Sequence, residues 1–84
     1  MELAAVKNAA VLQAFGTHIR KLREARGFSQ QELADHADVA KATIQRIEQA
    51  KFSVTLDVLV SVARVLRVSL RELMDFPDVI ESEV

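Results

Sequence analysis

The chain has 84 residues, half of them hydrophobic, with four Phe, no Trp, Tyr or Cys, and a formal net charge of −1. That length holds one domain with a small core. The lack of Cys excludes disulfides and thiolate metal sites and suits a reducing cytoplasm, and no apolar run approaches the roughly 20 residues that span a bilayer. Five helices are predicted. The first runs from near Glu2 to Arg26, with Val11, Phe15, Ile19 and Leu22 as its inner stripe, and Gly27 ends it. The second covers about 30–37 behind Ser29 as a cap, and the third about 41–50. Residues 51–54 then lead to Thr55, the N-cap of a fourth helix over about 56–67. Leu56, Leu59, Val62, Ala63 and Leu66 form its buried face. Ser69 caps a short fifth helix, about 70–75, docked by Leu70 and Leu73. The architecture is all-α, with the residues before Phe15 extending the first helix.

The small net charge hides an asymmetry. Residues 1–71 carry eleven Lys and Arg against seven Asp and Glu, and residues 72–84 carry five acids and no base. Basic charge is densest at Arg20, Lys21, Arg23 and Arg26, and again at Lys41, Arg46 and Lys51. A nucleic-acid partner responds to such a local patch, not to the total. The division is therefore an N-terminal extension over 1–14, a domain over 15–76 and an acidic tail over 77–84.

Residues 29–48, SQQELADHADVAKATIQRIE, carry the chemistry. They read as two short helices joined by a tight turn at Asp38 and Val39. Small Ala34 lets the helices approach, and Ile44 and Ile47 face back toward Leu33. Lys41, Ala42, Gln45 and Arg46 fall on the opposite face, where side chains can address base edges and phosphates in the DNA major groove. Taken alone, Lys41, Gln45 and Arg46 are equally a solvated helix face, and Gln30 equally a good helix former behind a cap.

FGTHIRKLREARGFSQQELADHADVAKATIQRIEQAK, followed by VTLDVLVSVARVLRVSLRELM, resembles the lambda-repressor-like Cro/cI (XRE) helix-turn-helix domain over residues 15–76. The resemblance implies a five-helix DNA-binding domain, a transcriptional regulator that occupies a palindromic operator as a homodimer. It implies base contacts from Lys41, Ala42, Gln45 and Arg46. It implies backbone contacts from Gln30, Thr43, Gln49 and Lys51, and an ion pair between Arg23 and Glu48 that bridges the first and third helices. An antitoxin-type or other protein-interaction module and a restriction-modification controller are the alternative readings. With no effector domain in view, regulation by occupancy is expected.

The chain departs from the family pattern around the third helix. Asp38 stands where the turn usually has Gly, Ala40 where Ser or Thr usually caps, Ala50 for a frequent Gly and Val54 for a frequent Pro. The changes mean either a different loop path or a partial loss of DNA binding, and the first is expected because the outward Lys, Gln and Arg remain. Phe52 is divided between the core and a subunit interface. Leu3, Val6, Val11 and Leu12 exceed what one face of a small core uses. With Val65, Val68 and Met74 they are candidates for a two-fold contact. His18 and His36 read as exposed, without a second metal ligand at helical spacing. No nucleophile–base or paired-carboxylate arrangement assembles, so neither catalysis, cofactor nor metal is expected.

Overall fold

A computed structural model describes residues 8–51 and 54–77. The side chains of Leu3, Val6 and Phe52, and the tail from Asp78 onward, lie outside these residues. The first helix starts at Ala9 and not near Glu2, because Asn8 leaves the helical conformation at φ −117°, ψ 58°. The described residues form α1 (Ala9–Ala25), α2 (Gln30–Ala37), α3 (Lys41–Glu48), α4 (Leu56–Leu66) and α5 (Leu70–Leu73), with no strand.

Local chemistry sets the helix starts. Ser29 and Ser69 each close a capping box, accepting from the amides of Glu32 and Glu72 while those carboxylates accept from the serine amides. Thr55 caps α4 by accepting from Val58 N–H. Asn8 precedes α1 and Ala40 precedes α3 without a side-chain capping bond.

The helix ends share one device. Gly27, Asp38, Ala50 and Arg67 all have positive φ. In each case the next residue's N–H reaches back five positions, as from Phe28 to Arg23 O and from Lys51 to Arg46 O. This satisfies carbonyls that a helix end leaves open. The device stops α3 at Glu48 rather than at residue 50, because Ala50 turns left-handed. It also stops α4 at Leu66, one residue short of the expected end. The fifth helix closes at Leu73, short of the expected 75, with Met74 as its C-cap.

Phe15, Ile19, Leu33, Ala34, Ala37, Ile44, Ile47, Val62, Ala63, Leu66 and Leu73 make one core. Two residues expected inside are not. Leu56 is 64% exposed: it lies in the first turn of α4 at the margin of the apolar stripe, and within the helix packing against the core begins with Val58 and Leu59. Leu70 opens α5 on the solvent side, leaving Leu73 to dock the helix. Val65 and Val68 pack against the core of their own chain, whereas Met74 stays exposed.

Candidate nucleic-acid interface

The capping box at the start of α2 engages the amides of Ser29 and Glu32. The amides of Gln30 and Gln31, in the first turn, have no intrahelical acceptor. They lie at the positive end of the helix dipole. After α2 the chain reverses through Asp38 at φ 60°, ψ 45°, with Val39 N–H bonded to Ala34 O at 3.0 Å. Asp tolerates this left-handed conformation better than most residues. The turn therefore keeps its geometry without glycine, and α3 starts from an extended Ala40.

Ile44 and Ile47 bury one side of α3 against the core. On the other side Lys41, Ala42 and Arg46 are exposed and Gln45 is half-buried. At about 100° per residue these four and Gln49 fall within one face of the helix. Gln49 and Lys51 follow α3, both exposed. Thr43 is half-buried at the border between this face and Ile47. All the expected base-reading residues thus share one surface of α3, with Gln49 and Lys51 just beyond its end.

Two features set the pose of that surface. Gly16 of α1 faces the Ile47 and Glu48 carbonyls at the end of α3. Beside this crossing, Arg23 Nε donates to Glu48 Oε2 at 2.7 Å and Nη2 donates to Oε1 at 3.1 Å. A third bond, from Nη1 to the Phe28 carbonyl at 2.8 Å, ties the pair to the entry of α2. The side chains are only 8% and 3% exposed. The hydrogen bond to Glu48 raises the Arg23 pKa above its ordinary value despite burial, so the guanidinium stays charged. Gln30 Nε2 also donates to Glu48 Oε1, at 3.0 Å. Neither Gly16 nor the Gln30–Glu48 bond was signalled in the sequence. A mid-helix Gly shows its purpose only when another helix crosses it, and Gln30 and Glu48 stand 18 positions apart.

Other expected surface groups have structural work. Arg26, one of the basic cluster, donates from Nε to Leu66 O at 2.7 Å and closes the end of α4. His18 is half-buried rather than exposed, because the end of α5 folds onto α1. Its Nε2 lies 3.1 Å from Glu72 O, and its ring packs against Phe76. His36 is exposed and packs against Phe28. Among the described residues no three His, Asp or Glu converge on a metal position, and no helix is long and apolar enough to cross a membrane.

Two helices at a tight turn, with a polar face held outward by a buried ion pair, define a helix-turn-helix DNA-binding domain. The helix-turn-helix family model HTH_3 matches residues 19–73. The chain belongs to this Cro/cI-type (XRE) family of DNA-binding transcriptional regulators. Among solved structures it is similar to the restriction-modification controller protein C.AhdI from Aeromonas hydrophila, at 33% identity and a TM-score of 0.75 over 76% of this chain and 97% of that one. It is similar to the N-terminal DNA-binding domain of SinR from Bacillus subtilis, at 34% identity and a TM-score of 0.70 over 75% and 93%. SinR solved in complex with DNA matches at 35% identity and a TM-score of 0.68 over 73% and 98%. A search of curated protein sequences finds no significant match.

Proposed function

We propose that this protein binds an operator in double-stranded DNA by placing α3 in the major groove, and regulates transcription in the cytoplasm by occupying that site. It acts by binding, without catalysis. Lys41 and Arg46 address guanine edges, Gln45 addresses adenine, and the Ala42 methyl meets a thymine methyl. Gln30, Thr43, Gln49 and Lys51 hold the flanking phosphates. The observation that carries this reading is the two-sidedness of α3: Ile44 and Ile47 are buried while Lys41, Ala42 and Arg46 stand in solvent.

The protein works as a homodimer on a palindrome, with recognition helices about 34 Å apart. Exposed Leu56 and Val60 on α4, and Leu70 and Met74 at α5, supply apolar surface for a second copy. The likeness to C.AhdI over nearly the whole of that chain supports a controller-type role.

Binding to duplex DNA across a salt series tests the reading. A log–log slope that falls by about 2 in Lys51→Ala, one for each protomer, with base preference unchanged, supports a phosphate contact there. An unchanged slope would remove Lys51 from the interface. Sedimentation showing only monomer at tens of micromolar would contradict the dimer.

A further inference from the structure

We infer that Glu48 is a positioning residue for DNA binding: its carboxylate fixes the side-chain amide of Gln30 so that one N–H is held ready for a backbone phosphate. This rests on the phosphate contact proposed for Gln30. At 3% side-chain exposure Glu48 is too buried to touch DNA itself, so any influence on binding passes through its neighbours.

The bonding pattern determines the amide's orientation. An ionised carboxylate only accepts hydrogen bonds, so the nitrogen of the Gln30 amide, not its oxygen, must face Glu48 Oε1. That nitrogen carries two hydrogens, and Glu48 occupies one. The other remains available as a donor. A free glutamine would search its rotamers and lose that freedom on binding, whereas a tethered one has already lost it. Arg23 is required for the same reason. It neutralises Glu48, which would otherwise bring a bare negative charge near the phosphate. The Arg23 bond to Phe28 O fixes the pair to the entry of α2, so the phosphate anchor and the recognition helix are set in one frame.

A double-mutant cycle tests this on the full chain, with a mixed-sequence DNA duplex as probe, since a phosphate contact is independent of sequence. Gln30→Ala is expected to weaken binding about tenfold, the size of a hydrogen bond to a charged group. Glu48→Met, which removes the acceptor, is expected to weaken it about fivefold in the parent but less than twofold in the Gln30→Ala background, as coupled residues do. Equal losses in both backgrounds would overturn the positioning role while leaving Gln30 on the phosphate. No loss in Gln30→Ala would overturn the phosphate contact and the inference with it. A second measurement needs no variant to fold. In the free parent protein, the two Gln30 side-chain amide protons should give separate NMR signals away from free-glutamine positions. On adding the duplex, one should move and the other stay. Signals at free-glutamine positions would overturn the tether.

Discussion

Gly16 and Ile47 meet without room for a methyl group between them: a Cβ at Gly16 would lie 2.5 Å from the Ile47 carbonyl oxygen and 3.0 Å from that of Glu48. Both neighbours are backbone, so the contact cannot be relieved by a rotamer change. The distance between α1 and the end of α3 is therefore set by the absence of a side chain.

Gly16→Ala gains about 1 kcal/mol of helix propensity and incurs overpacking of about 2–3 kcal/mol, the upper part of the usual range because the atoms met are backbone. The expected net result is destabilisation by about 1–2 kcal/mol, seen in thermal or urea denaturation. Since the clash moves α3, DNA affinity should fall at a temperature where the variant is still folded. A variant as stable as the parent would show that α3 shifts without cost.

Ala50 adopts φ 60° to let Lys51 N–H reach Arg46 O at 2.9 Å. A Cβ in that conformation costs about 1–2 kcal/mol. Ala50→Gly removes the cost, partly offset by the wider freedom of glycine when unfolded, for an expected gain of about 0.5–1 kcal/mol. The converse holds at Gly27, where φ is 78° and no atom lies within 4 Å of an added Cβ. Gly27→Ala should lose about 1 kcal/mol from backbone strain alone. Opposite shifts in denaturation midpoint for the two variants are the expected signature.

Arg23→Met leaves Glu48 buried without its cation. Breaking one side of such a pair is expected to cost about 3–5 kcal/mol. Arg23→Lys keeps the charge but forfeits the two-bond fork to Glu48, and should fall between parent and Met variant. Denaturation of the three proteins checks the order. Equal stability of Lys and Met variants would mean that the charge contributes nothing.

Ala40 has the extended backbone of an N-cap and no side-chain oxygen. Ala40→Ser should stabilise α3 by about 1 kcal/mol. DNA affinity should be retained or increased, because the start of the recognition helix is better ordered. Loss of stability would mean that the serine hydroxyl meets a buried surface instead of the helix end.

The helices were readable because their signals are local: Ser29 and Ser69 with glutamates three positions later, Thr55 before an apolar stripe, and Gly27 at a stop. The exposed face of α3 was readable from the spacing of Ile44 and Ile47. Helix ends were less so, because Ala50 and Arg67 take a conformation their types do not announce. After α3 a left-handed Ala50 makes the turn at a cost in strain, and the loop beyond it at 52–53 lies outside the described residues. Leu56 misled because periodicity groups residues into a face without distinguishing its centre from its margin. His18 and Gln30 depend on partners distant in sequence, Glu72 and Glu48, and only packing brings these together.

The most direct test of the account is selection from a random DNA pool at physiological salt, carried out with the parent protein and with Arg46→Ala. The parent is expected to enrich a palindrome, and the variant to show relaxed preference at one base pair per half-site, at a cost of about 1–3 kcal/mol in discrimination. No enriched motif, with the variant weaker on all sequences alike, would contradict sequence reading by α3.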